Sequence, residues 1–303
     1  MRGMSPRQAI TYTAILLTLL AGLTACFPSE PSFPTPAHPS PTSTLTPTFT
    51  FTPSPPTITP TPPPPACVTQ PGQVEEKLLD TTIPPQAYFI YLPPCYAENT
   101  NQHYPVLYLL HGQTYTADQW IRIGAVDALN AILLSGQAQP FIIVFPDDRY
   151  WNLPAGAAFG QRLVEDLIPH IDSTYRTLPD RSHRAIGGLS RGGGWALRLG
   201  FTRWDLFSVI GLHSPAILQG DASQVAKWIA AIPPDNRPTI FMDIGDKDQE
   251  WRMAVALEAQ FNESGLVHEW RFYSGAHTEE YWSAHVEEYI RWYAEQWNNL
   301  PQP

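Results

Sequence analysis

A short apolar run, Arg184-Ala185-Ile186-Gly187, leads directly into Gly188-Leu189-Ser190-Arg191-Gly192, and Trp195-Ala196-Leu197-Arg198-Leu199 follows with the character of a helix. A strand that turns this sharply into a helix strains the backbone at the bend. Small residues are then needed two before and two after it. Gly188 and Gly192 meet that requirement, while Gly193 and Gly194 let the helix approach the sheet. The stretch therefore commits the chain to a buried strand, a tight turn and a helix, with Ser190 presented as a nucleophile. A glycine-rich turn carrying an idle serine is the plainer alternative, and the strand and helix on the correct sides argue against it.

A serine of this kind needs a base and an acid that orients the base, each beyond a later strand. Pro238-Thr239-Ile240-Phe241-Met242-Asp243-Ile244-Gly245 has the length and apolarity of a strand and runs into Asp246-Lys247-Asp248. Asp243 falls inside the strand and reads as a buried or edge carboxylate. Asp246 and Asp248 both fall in the loop, and spacing alone does not separate them. The next strand, His268-Glu269-Trp270-Arg271-Phe272-Tyr273, ends in Ser274-Gly275-Ala276-His277. His277, past the last strand and ahead of a helical stretch, is the expected base. Val106-Leu107-Tyr108-Leu109-Leu110 runs into His111-Gly112-Gln113, where an oxyanion-binding backbone donor belongs. The expected donors are the N–H groups of Gln113 and Arg191, with His111 shaping the turn.

These segments, together with Glu165-Asp166-Leu167-Ile168-Pro169-His170-Ile171-Asp172, Tyr175-Arg176 and Tyr281-Trp282, resemble the esterase D and feruloyl-esterase-like branch of the α/β-hydrolases. That branch is related to antigen-85-type acyltransferases and enterochelin esterases. The resemblance spans about residues 67 to 298 and implies carboxylic-ester hydrolysis through a Ser-His-Asp triad without a cofactor. It assigns nucleophile and base to Ser190 and His277. It also selects Asp248, through the family's Gly-x-x-Asp loop, as the acid. Gln113 stands where many relatives carry glycine.

The chain's beginning has a different character. Arg2 and Arg7 precede an apolar stretch that ends Leu23-Thr24-Ala25-Cys26. This reads as a lipoprotein-type signal over residues 1–25, with lipid attached at Cys26. Residues 26–66 are mostly Pro, Thr and Ser, and hold close to half of the chain's 33 prolines. Such a segment builds no core. As an extended tether at about 3.1 Å per residue it reaches roughly 120 Å. Both features place residues 67–303, the expected single domain, outside the cytoplasm at a bacterial membrane. Cys67 and Cys95 then remain as an even pair, expected to form a disulfide in an oxidising compartment.

Strand-like runs at 87–92, 106–110, 141–145, 184–188, 208–212, 239–244 and 269–273 alternate with helical stretches. The alternation predicts a mostly parallel sheet with helices on both faces, a closing helix from about Glu279 to Trp297, and no large lid. A net charge of −10 disfavours nucleic acid as a partner. No metal-ligand spacing is present. Around the cleft, Tyr150, Trp151, His213 and Trp282 are the candidate substrate contacts. The aromatics among them suit a sugar or a phenolic acyl group. Acylated carbohydrates and small acyl or phenolic esters are the expected substrates. The alternatives are an acyltransferase to a sugar alcohol, a siderophore esterase and a non-catalytic binding module on the same fold.

Overall fold

The computed structural model describes residues 66–298. The signal segment, Cys26 and the tether as far as residue 65 lie outside the described residues. The described residues all fall in one compact unit, Thr61–Pro303. Eight strands form one sheet: β1 (Gln73–Leu79), β2 (Gln86–Leu92), β3 (Val106–Leu110), β4 (Ile142–Pro146), β5 (Arg184–Leu189), β6 (Val209–His213), β7 (Thr239–Gly245) and β8 (Glu269–Tyr273). Their spatial order is β1-β2-β4-β3-β5-β6-β7-β8. From β4 to β8 all neighbours run parallel, while β2 meets β4 antiparallel and β1 extends that edge.

Helices fill the connections. Between β3 and β4 lie α1 (Gln119–Arg122) and α2 (Ala125–Leu134). After β4 come α3 (Pro154–Ala157), α4 (Phe159–Arg162) and α5 (Ile168–Thr174), the last two joined by a π-helical stretch, Leu163–Leu167. Then α6 (Arg191–Thr202) follows β5, α7 (Val225–Ala231) follows β6, α8 (Trp251–Glu263) follows β7 and α9 (Glu279–Asn298) closes the fold.

Burial explains why the central strands read as continuous apolar runs, since both of their faces are covered. On one face Tyr108, Leu110, Ile186, Ile210 and Met242 pack against Leu197 and Phe201 of α6 and Phe261 of α8. The alternate residues Leu107, Leu109, Ala185, Val209 and Phe241 meet Trp120 of α1, Leu129 of α2 and the stripe Tyr289, Tyr293 and Trp297 of α9. Successive strand residues point to opposite faces. His213 therefore shares the α9 face with Val209, and Asp243 shares it with Phe241. Cys67, ahead of β1, is joined to Cys95, just past β2, with Cα atoms 5.0 Å apart.

Candidate active site

The loops at the carboxyl ends of β3, β5, β7 and β8 converge on one serine. Ser190 sits between β5 and α6 with φ 54° and ψ −122°, the strained bend that the flanking glycines predict. A side chain at Gly188 would lie 2.3 Å from the Gly192 carbonyl carbon, and one at Gly192 would lie 2.1 Å from the Leu110 oxygen. Neither position has room for a Cβ. The elbow thus depends on two glycines and holds the serine rigidly.

His277 Nε2 lies 2.7 Å from Ser190 Oγ. Its Nδ1 donates to both Asp248 oxygens, at 3.0 and 2.8 Å, which leaves Nε2 free to accept the serine proton. Asp248 is buried, and its Oδ1 also accepts the Glu250 N–H at 2.7 Å. Asp246 does something else. Its Oδ1 accepts the Gly275 N–H at 2.9 Å, bracing the loop that carries His277. Geometry thus separates the two acids that spacing leaves tied.

The turn after β3 is held from two sides. His111 Nε2 accepts the Asp148 N–H at 2.7 Å, so the ring proton sits on Nδ1 and is donated to the Gly112 carbonyl at 2.8 Å. That carbonyl and the Gln113 N–H belong to one planar peptide. His111 therefore sets the direction in which the Gln113 N–H points. From the other side, Gln119 Oε1 accepts the Gly112 N–H at 2.8 Å while its amide donates to Glu279 at 3.2 Å. The Gln113 N–H has no acceptor among the described residues. The Arg191 N–H opens α6, where a helix leaves its first donors unused. A side chain at Gly112 would stand 3.5 Å from Ser190 Cβ, so the turn adjoins the nucleophile. Gln119 escapes a sequence reading because nothing local marks a lone glutamine as buried. Only its placement before the core residue Trp120 hints at it.

Two candidate contacts need correction. His213 is 0% exposed and turns away from the cleft, its Nδ1 bonded to Asp243 at 2.8 Å and its Nε2 to the Tyr293 hydroxyl at 3.0 Å. Strand parity is the reason, since the last residue of β6 faces α9. Asp243 is buried there too and also accepts the hydroxyls of Tyr281 and Tyr289, each at 2.7 Å. Burial, then the Asp243 charge, pushes both phenols above their ordinary range. Trp282, 2% exposed, stands edge-on to the His277 ring at 4.9 Å. It belongs to the buried stripe of α9 and braces the histidine. Tyr150 and Trp151 are half-buried beyond β4, and Trp151 lines a cleft with Arg191.

Next to them, Asp148 accepts Arg191 Nε at 2.8 Å and Trp195 Nε1 at 3.0 Å. Burial pushes its carboxyl above the usual range, against the pull of Arg191. For a metal, the described residues offer one close group, Cys67, Cys95 and Glu98, whose two sulfurs are bonded to each other.

Known proteins resemble this arrangement. The Esterase family model matches residues 85–293. An endo-1,4-beta-xylanase/feruloyl esterase of Xylanibacter ruminicola is 28% identical over 195 residues, 59% of this chain and 26% of its own length. An esterase of Mycobacterium tuberculosis is 33% identical over 148 residues, 46% of this chain and 31% of its own. The chain spans about a quarter to a third of the length of these curated relatives. Among solved structures, a ferulic acid esterase superposes with a TM-score of 0.67 at 27% identity, covering 75% of this chain and 100% of that one. The feruloyl esterase module of Clostridium thermocellum, complexed with sinapinate, gives 0.65 at 20% identity over 80% and 96%. That second likeness speaks for the fold alone.

Proposed function

Since the chain belongs to the Esterase family and has the α/β-hydrolase fold, we propose that it hydrolyses carboxylic esters with Ser190 as nucleophile, His277 as general base and Asp248 as the orienting acid. The observation that carries this reading is the continuous relay from Asp248 through His277 to a serine on a strained elbow. Ser190 Oγ attacks the ester carbonyl as its proton passes to His277 Nε2. Asp248 stabilises the imidazolium that results. The oxygen of the tetrahedral intermediate takes the N–H groups of Gln113 and Arg191. His277 then returns its proton to the departing alcohol, leaving an acyl-serine. A water deprotonated by His277 attacks that acyl group and releases the acid, with Ser190 reprotonated.

Acylated carbohydrate and small acyl or phenolic esters are the substrates that suit this site. Trp151, in the cleft with Arg191, offers it aromatic surface, and the relatives named for feruloyl esters support the choice. The test is a panel of p-nitrophenyl acetate, p-nitrophenyl butyrate, methyl ferulate and acetylated xylan. The purified protein is expected to turn over at least one. Ser190→Ala should lower that rate by about 10⁵-fold or more while the protein stays folded. Turnover that survives the substitution would remove Ser190 from the chemistry.

We further infer that the domain works outside the cytoplasm, held to the membrane by lipid on Cys26 through the tether of residues 26–66. The basic start, the short apolar run and Leu23-Thr24-Ala25-Cys26 support this. Replacing Cys26 with serine should move the protein from the membrane fraction to the soluble one and abolish palmitate labelling. Unchanged membrane recovery would argue for another anchor.

A further inference from the structure

A cleft of about 360 Å³ runs along the outer face of α6, bounded by Trp151 and Leu153 of the loop after β4 and by Leu218 of the loop after β6. Its floor includes Arg191, Trp195 and Arg198. Steps of four and three residues put all three on one face of the helix. The two arginines are about 10 Å apart along its axis. Their guanidinium carbons lie 5.7 and 5.0 Å from the centre of the Trp195 ring.

Each arginine is fixed from behind by a buried acid. Asp148, 4% exposed, takes only Nε of Arg191, at 2.8 Å. Asp221, equally buried, takes Nε and Nη2 of Arg198 at 2.8 and 2.6 Å. Among the described residues, both Nη groups of Arg191 and Nη1 of Arg198 therefore have no acceptor. The acids balance the charge, yet the hydrogen-bonding edges stay unfilled. A guanidinium locked through Nε presents its two Nη groups as a fork, the geometry that grips a carboxylate with paired bonds. This fork belongs to the residue next to the nucleophile. Trp151 adds an apolar wall for whatever links the ester to the charged end.

We propose that this cleft is a substrate subsite for a carboxylate, so that the enzyme favours esters bearing a negative group on the acyl or the alcohol side. The proposal rests on the serine-esterase reading above and adds a substrate class to it. Lysine would not serve as well in either place: at 191 its ammonium is a point charge without a fork, and at 198 it lacks the planar edge that grips Asp221 through two N–H groups while leaving a third outward.

The test compares esters that differ by one carboxylate. On the acyl side, p-nitrophenyl butyrate is set against mono-p-nitrophenyl glutarate. On the alcohol side, an acetylated methyl glucoside is set against the corresponding glucuronoside. In one arm the charged ester should exceed its neutral partner in kcat/KM by about tenfold, the scale of one charge-assisted contact. Arg191→Met and Arg198→Met should each lower that ratio severalfold, and the ratio cancels any loss common to both esters. Arg198→Lys, which keeps the charge, should lower it as well. A ratio of one or less in both arms, with neutral esters turned over, overturns the subsite and leaves the esterase intact. A preference that survives the substitutions overturns it too, because the carboxylate is then read elsewhere. Failure to turn over any ester overturns the esterase reading, and the subsite with it.

Discussion

Two histidine–aspartate pairs stand at the carboxyl ends of neighbouring strands, and they share one bond. In each, Nδ1 meets a buried carboxylate at 2.8 Å, His277 with Asp248 and His213 with Asp243. They differ in what Nε2 meets. For His277 it is a serine hydroxyl on a strained, partly exposed bend. For His213 it is a tyrosine hydroxyl, in a pocket closed by Trp120, Tyr289 and Tyr293. An acid-oriented imidazole is therefore only half of a catalytic device. The third partner and its access to solvent decide whether the pair moves protons for a substrate or holds α9 to the sheet.

Substitution should split the two pairs cleanly. The largest effect is expected at Asp248→Asn, where an amide at Nδ1 favours the wrong tautomer of His277. Activity should fall about 10⁴-fold, with thermal unfolding almost unmoved. A loss of stability on the same scale as the loss of activity would erase the contrast. At Asp243→Asn the order reverses. Three donors, from His213, Tyr281 and Tyr289, lose their buried carboxylate, and stability should drop by about 3 kcal/mol, read by urea unfolding. A variant as stable as the parent would mean that this cluster is not the brace its geometry describes. The smallest effect sharpens the active side alone. Gln119→Ala frees the Gly112 peptide and should lower kcat on the order of tenfold to a hundredfold. KM should change little, because an oxyanion donor acts on the transition state. A change confined to KM would place Gln119 in substrate binding instead.

How much of this was legible from residues alone follows the same divide. The elbow, the base and the turn after β3 are local patterns, glycines and histidines at fixed offsets from an apolar run, so the sequence exposes them. Six of the strands are apolar runs and are equally visible, and β8 shows as an alternation of charged and aromatic residues, Glu269-Trp270-Arg271-Phe272-Tyr273. β1 is not visible, because Gln73-Val74-Glu75-Glu76-Lys77-Leu78-Leu79 has no such run. Its side chains are largely exposed, and it is a strand by virtue of pairing with β2 along its whole length. The burial of His213 is a tertiary fact that the residues alone do not show, since proximity to a strand end says nothing about which face a side chain takes. The packing role of Trp282 is equally hidden, because an aromatic near a histidine suits a substrate wall and a packing brace equally well in sequence. Spacing does not choose between Asp246 and Asp248, as both occupy the same short loop; the family pattern and the hydrogen bond to His277 do.

The bond between Cys67 and Cys95 also decides how the domain carries a mechanical load. β1 lies at the sheet's edge, where a pull on its free end would peel it from β2 one hydrogen bond at a time. Tension arriving from upstream of Ala66 instead enters at Cys67 and crosses the sulfurs to Cys95, just past the far end of β2. The stretch between the two cysteines, 28 positions apart and β1 included, is bypassed. If the proposed anchor holds the chain, the exposed edge strand β1 is shielded from its drag, and force is delivered to the chain between β2 and β3.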